Sequence, residues 1–131
     1  MSMDNSFRAD WQPRVLSAVR IVVALLFLQH GLAKVFGFPI PDPTSLPPLL
    51  MLAAAIQIVG SLLLLIGLFT AVAAFIMSGE MAFAYFMAHA PKSLYPIANG
   101  GDAAILFCFV FLYLAFAGGG PWSLDSARMR R

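Results

Sequence analysis

The sequence predicts an all-α integral membrane protein, a bundle of four spanning helices forming one domain over residues 1–131. Three observations carry that reading. First, 61% of the 131 residues are hydrophobic and only 11% are charged, with a mean hydropathy of +0.88. Soluble domains run at roughly 45–50% apolar and about 25% charged. A globule this small cannot hide so much apolar surface in one core. Second, four apolar stretches alternate with breaks rich in proline and glycine. Third, the net charge of +2 comes mostly from arginines at the two ends, with no basic groove between them. Together these exclude a disordered chain, a disulfide scaffold and a nucleic-acid-binding module.

Residues 1–12, MSMDNSFRADWQ, are polar and mixed in charge, and predict a short flexible terminus. Pro13 suits the first turn of a helix. A first span follows over about 15–38 and is stopped by Pro39, Pro41 and Pro43. Its 24 or so residues reach roughly 36 Å, enough to cross a bilayer with some tilt. That is too long for the apolar core of a signal peptide, and no small-x-small cleavage site precedes the prolines.

The loop Pro39–Pro48 is expected to be extended. The second span, about 49–69, carries Ala53, Gly60 and Gly67 seven apart, a stripe that lets another helix approach closely. The short turn at Gly67–Thr70 makes spans two and three an antiparallel hairpin. Span three covers about 71–90 and ends at Pro91. Asn99-Gly100-Gly101 forms a capping turn before span four, about 102–117, which is short for a crossing and places Trp122 at the interface. An even number of spans puts both termini on one side. Arg8, Arg14, Arg128, Arg130 and Arg131 make that side cytoplasmic, so the proline loop and the Lys92–Gly101 loop face outward.

Polar side chains inside the spans each need a reason, because a charge at the bilayer centre costs roughly 2.5–3.5 kcal/mol. Arg20 and Lys34 lie near opposite ends of span one, where snorkelling to the headgroups is the ordinary outcome. His30 and Lys34 are one turn apart on one face. Gln29 points elsewhere and is expected to bond another helix. Glu80 is the sharpest signal, since it sits mid-span on a side chain too short to reach the headgroups. It must be protonated, paired with a cation such as Arg20 or Lys34, or open to a wet cavity.

Ala71, Ala74, Ser78, Ala82, Tyr85 and His89 recur at three- and four-residue steps along one face of span three. Glu80 falls nearly opposite, toward another helix or toward an identical subunit in a homo-oligomer. The outer half collects His30, Lys34, Tyr85, His89, Asn99 and Asp102, whereas the inner half reads as largely apolar. This distribution suits a polar pocket opening outward and floored by Glu80; interfacial residues hydrated at the headgroups would leave the same pattern. Glu80 (as a proton-handling group) and His30 are the candidate catalytic residues. Arg20, Lys34, Tyr85, His89, Asn99 and Asp102 are the candidate ligand-binding residues.

Cys108 is the single cysteine, set in an apolar run where it reads as a small buried hydrophobe. Dithiol exchange within the chain and a thiolate metal cage are therefore excluded. No metal site is expected, and two histidines on different spans give only thin support for haem ligation.

Three segments together resemble the DoxX family of small four-span membrane proteins. They are Arg20…Gln29-His30-Gly31-Leu32-Ala33-Lys34, then Glu80-Met81-Ala82-Phe83-Ala84-Tyr85, then Asn99-Gly100-Gly101-Asp102. The ending Gly118-Gly119-Gly120-Pro121-Trp122-Ser123-Leu124-Asp125 is similar to that family's tail, so the resemblance runs from about Val15 to Asp125. Asp102 stands where the family more often has glutamate, and the charge is kept. The resemblance implies a multi-pass protein of the bacterial cytoplasmic (inner) membrane. It also implies association with quinone-linked or sulfur- and thiol-related oxidoreductase complexes.

No covalently bound cofactor is expected. A quinone headgroup suits the pocket, with His30, Lys34 or Tyr85 donating hydrogen bonds to its carbonyls and Glu80 exchanging the proton that accompanies reduction. A partner oxidoreductase, soluble or membrane-bound, would supply the electrons, so the residues alone do not assign catalysis to this chain. Two rival readings use the same residues. A proton-coupled exporter also needs a buried carboxylate, although small multidrug transporters carry theirs in the first span. A non-catalytic membrane anchor or assembly factor would use the small-residue stripes for docking.

Overall fold

The computed structural model describes residues 2–40 and 47–129. Every element among them is helical: α1 (Ser2–Phe36), α2 (Pro48–Ile66), α3 (Thr70–Ala84), the short α4 (Pro96–Asn99), α5 (Asp102–Ala117) and α6 (Leu124–Met129). Pro41, Asp42 and Pro43 of the proline loop, and Arg130 and Arg131 of the basic tail, lie outside the described residues.

Three helical stretches are long and apolar enough to cross a membrane: Asp4–Phe36, Pro48–Ile66 and Thr70–Lys92. The fourth apolar helix, α5, has 16 residues, or about 24 Å against a hydrocarbon core of roughly 30 Å. Residues 2–12 depart from expectation. They continue α1 through Pro13 instead of forming a flexible terminus. Phe7 and Trp11 pack one turn apart with ring centroids at 6.1 Å, and the Arg14 guanidinium sits 4.9 Å from the Trp11 ring. These side-chain contacts offset the backbone hydrogen bond that Pro13 removes.

α2 and α3 form the expected hairpin. Gly67 adopts a left-handed conformation (φ 74°) and its N–H bonds Leu64 O, while Leu68 N–H bonds Leu63 O. Beyond the turn, α3 starts at Thr70. Its first N–H groups have no helical acceptor, and Asp125 of the tail supplies one: the carboxylate accepts from Phe69 N and Thr70 N, each at 2.9 Å.

α1 packs along α2, and α3 along α5. The two pairs meet through α2 and α3 on one side. On the other side an aromatic bridge joins them, with Phe27 4.9 Å from Phe111 and 5.2 Å from Phe107. Ala24, Phe27, Leu64, Ala74, Met77, Phe111 and Leu114 form the dry centre. The outer surface carries Val72, Phe75, Phe83, Leu106 and Phe109, all exposed, as a bilayer-facing surface requires.

The half of the bundle nearer the α2–α3 turn is less apolar than the sequence suggests, because Ser17, Arg20, Ser61, Thr70 and Ser78 are all buried there. Arg20 does not snorkel. It is 1% exposed and donates to the carbonyls of Gly119 and Trp122. Ser17 Oγ joins the same knot, donating to Gly119 O at 3.0 Å and accepting from Trp122 N at 3.1 Å. A Cβ on Gly120 would collide with Ser17, so glycine is required for this close approach. The tail Gly118–Met129 therefore seals the end of the bundle where Arg20, Thr70 and the Gly67 turn converge.

Candidate functional site

The half of the bundle away from the α2–α3 turn contains a cavity of about 540 Å³ between α1, α2, α3 and α5. Most of its wall is apolar, built from residues such as Phe27, Ile56, Met81 and Phe107, and its polar members are His30, Lys34, Gln57, Glu80 and His89. That mixture, mainly apolar with a few convergent polar groups, is typical of small-molecule sites.

Three of the polar residues form a line across three helices. Gln57 Nε2 donates to Glu80 Oε1 at 2.8 Å, and Gln57 Oε1 accepts from Lys34 Nζ at 3.4 Å. Gln57 is 2% exposed, so its amide is held in one orientation by a carboxyl group on one side and an ammonium on the other. No direct ion pair joins Lys34 and Glu80; the amide transmits between them. Glu80 Oε2 is buried and has no hydrogen-bond partner among the described residues. One carboxyl oxygen is thus committed to the line and the other faces no polar partner among the described residues.

The backbone explains why these side chains meet. A Cβ on Gly31 would sit 2.8 Å from Ile58 Cγ1 and 3.1 Å from Gln57 Cβ, so only glycine lets α1 lie this close to α2. Lys34, one turn beyond Gly31, is thereby brought to Gln57. On the other side, a Cβ on Gly60 would press on Met77 at 2.6 Å from Sδ. α2 and α3 are therefore in close contact one turn from Gln57. α3 stays regular through Ser78 and Gly79 and buries two stripes. Ser78 donates to Cys108 O on α5 at 2.8 Å. Met77 faces α2, and Glu80 follows it to Gln57. Glu80 therefore finds its partner within the same chain.

His89 also lines the cavity, but its Nδ1 donates to Asn99 O at 3.0 Å, which leaves Nε2 as the acceptor nitrogen of the neutral ring. It is presented by a π turn, Tyr85–His89, whose wider winding re-aims the end of the span. Tyr85 and Asn99 do not line the cavity. Asn99 is buried and ties the outer loop together, donating to Tyr85 Oη and Ser93 O, both at 3.1 Å, and accepting from Gly101 N at 2.8 Å.

Asp102 is exposed at the start of α5, and Arg20 lies at the opposite end of the bundle from the cavity. Gln29 is exposed, and among the described residues it has no interhelical hydrogen-bond partner. The cavity thus unites Glu80, His30, Lys34 and His89 from the sequence candidates and leaves Arg20, Tyr85, Asn99 and Asp102 outside. It adds Gln57, which the sequence reading passed over. Gln57 stands four residues after Ala53 and three before Gly60, on the very face that the small-residue stripe marks as a helix contact. Among the described residues no group of three or more His, Cys, Asp or Glu is placed to hold a metal ion.

Apolar helices of spanning length, a membrane-facing apolar surface and a polar line buried between helices define a multi-pass α-helical membrane protein. The DoxX family model matches residues 15–90, and the chain belongs to the DoxX family. It is 46% identical over 123 residues to an uncharacterized protein of Haemophilus influenzae, covering 88% of this chain and 92% of that one. No solved structure matches.

Proposed function

We propose that this DoxX-family protein is a quinone-binding membrane subunit that works with an oxidoreductase partner, and that the outer-half cavity is its quinone site. The carrying observation is the Lys34–Gln57–Glu80 line across a largely apolar cavity of about 540 Å³, roomy enough to admit a quinone headgroup. The donor set suits a quinone: Lys34 and His30 offer hydrogen bonds for carbonyl oxygens, and Glu80 keeps one oxygen free for a proton. Reduction of a quinone takes up two electrons and two protons. Glu80 and His89 handle the protons, and the partner supplies the electrons, since the chain has one cysteine. The single membrane domain crosses the bilayer four times, α5 included, with both termini in the cytoplasm of a bacterium and the cavity opening outward through the inner membrane's outer leaflet.

The test is the quinone content of gently extracted protein relative to its parent membrane, measured by chromatography for wild type, Glu80→Gln and His30→Ala. Enrichment in wild type that drops in both variants is the expected result. No enrichment in any of the three would remove quinone binding and leave the buried line as a device that sets helix register, the role an anchor or assembly factor needs.

A further inference from the structure

We propose that the cleft between the outer halves of α2 and α3 holds the apolar tail of a membrane-dissolved amphiphile. Its polar head sits at Lys34, Gln57 and Glu80, so the ligand reaches the site sideways from the bilayer. This inference rests on the cavity being a ligand site and adds the route and the kind of molecule.

α2 and α3 are clamped at their inner ends, first by the Gly67–Thr70 turn and then by Gly60 against Met77. Farther out that contact gives way to the cavity. Its wall on this side consists of Leu49, Leu52, Ile76, Phe83 and Met87, which are between 50% and 59% exposed. Side chains that line a cavity and also face the outside mark an opening in its wall. All five are apolar, and they lie on helices of spanning length. In a bilayer this opening therefore faces acyl chains rather than water.

The polar line lies at the far end of the same cavity, between α1, α2 and α3. A compact polar head joined to a hydrocarbon tail matches both ends at once. A fully water-soluble ligand would leave the apolar walls of the cleft without a fitting partner. Moving a tail from lipid into the cleft gains little hydrophobic free energy, because both surroundings are apolar. The cleft contributes a passage and a place for the tail, while the head supplies the binding.

The experiment uses the full chain in nanodiscs with two probes, a decyl-tailed benzoquinone and its tailless parent. Binding is compared for wild type, Leu49→Trp and Met87→Trp, which place bulk on α2 and on the π turn that continues α3, in the exposed wall of the cleft and about two turns from Gln57 and Glu80. The tailed probe is expected to lose about tenfold or more in affinity in each variant, while the tailless probe stays within about twofold of wild type. As a check independent of how the tryptophan variants fold, Leu52→Cys and Met87→Cys are reacted with a bilayer-soluble maleimide. The tailed probe should slow labelling about tenfold and the tailless probe should not. Equal losses for both probes, or labelling indifferent to the tailed probe, would overturn the sideways route while leaving the cavity as a ligand site. Failure of both probes to bind wild type would overturn the site and the route together.

Discussion

Replacing Arg20 by methionine keeps a side chain of similar length but removes every donor, and the structure gives the cost. Arg20 makes two charge-assisted hydrogen bonds in a place with almost no solvent access, to Gly119 O and to Trp122 O. Such bonds contribute roughly 1.5–3 kcal/mol each. The two losses are unequal. Gly119 O keeps Ser17 Oγ as a donor at 3.0 Å, whereas among the described residues no other bond is found to Trp122 O. One bond is therefore lost with partial replacement and one outright, giving a destabilisation of about 3–4 kcal/mol. For a chain of this size that corresponds to a melting shift of roughly 10 °C or more. The damage should be local at first. The C-terminal segment is tied to the bundle by Arg20, Ser17 and Asp125, so limited proteolysis after Gly118 should speed up before the core melts. Arg20→Lys, which reaches one carbonyl, should fall between wild type and Arg20→Met. If Arg20→Met melts within about 2 °C of wild type and its tail stays protected, the knot does not carry the stability assigned to it.

Gln57→Leu keeps volume and severs both bonds of the polar line; it should destabilise by about 2–4 kcal/mol in thermal unfolding and reduce quinone retention as far as Glu80→Gln does. Two glycine substitutions should diverge. Gly31→Ala forces α1 from α2, costing about 1–3 kcal/mol and parting Lys34 from Gln57, whereas Gly79→Ala meets nothing within 4 Å and should be neutral or slightly stabilising in the same melt. Asp125 gives the pH prediction. Burial works against its charge, but the N–H groups of Thr70 and Phe69 and the nearby Arg128 outweigh that and hold the carboxyl below the usual carboxylate range. A depressed folded pKa contributes stability above the unfolded value, near pH 4, which is lost as the pH falls through the lower folded value. Proteolysis of the tail should therefore accelerate below about pH 4 in wild type, and Asp125→Asn should show the fast rate already at neutral pH.

How much of this was readable in advance depended on which force shaped each element. The spans are set by transfer of apolar side chains out of water, a property that sums along the chain, so hydropathy and prolines located α2, α3 with its π turn, α5 and the end of α1 to within a few residues, whereas α1 begins at Ser2 and not near residue 15. The hairpin turn followed from Gly67, and the Asn99-Gly100-Gly101 turn from its composition. The N-terminal helix was not readable, because it depends on Phe7, Trp11 and Arg14 stacking across turns rather than on composition. Arg20 misled for a related reason. Snorkelling and burial leave the same letter in the sequence, and only the return of the Gly118–Trp122 segment over the bundle's end decides between them. Glu80, Lys34 and His30 announced themselves as costly groups in an apolar setting. Gln57 did not, being uncharged, although its place on the Ala53–Gly60 face marked it as inward. Tyr85 and Asn99 drew attention as polar residues in the right half, and the structure spends them on holding a loop.

The most direct test of the central reading is an infrared difference spectrum of reconstituted protein on addition of a benzoquinone. If the quinone binds at the Lys34–Gln57–Glu80 line, wild type should show a change in the carboxyl and carboxylate stretching region that vanishes in Glu80→Gln and shifts in Gln57→Leu. A quinone-induced spectrum identical in wild type and Glu80→Gln would place the ligand elsewhere and contradict the account.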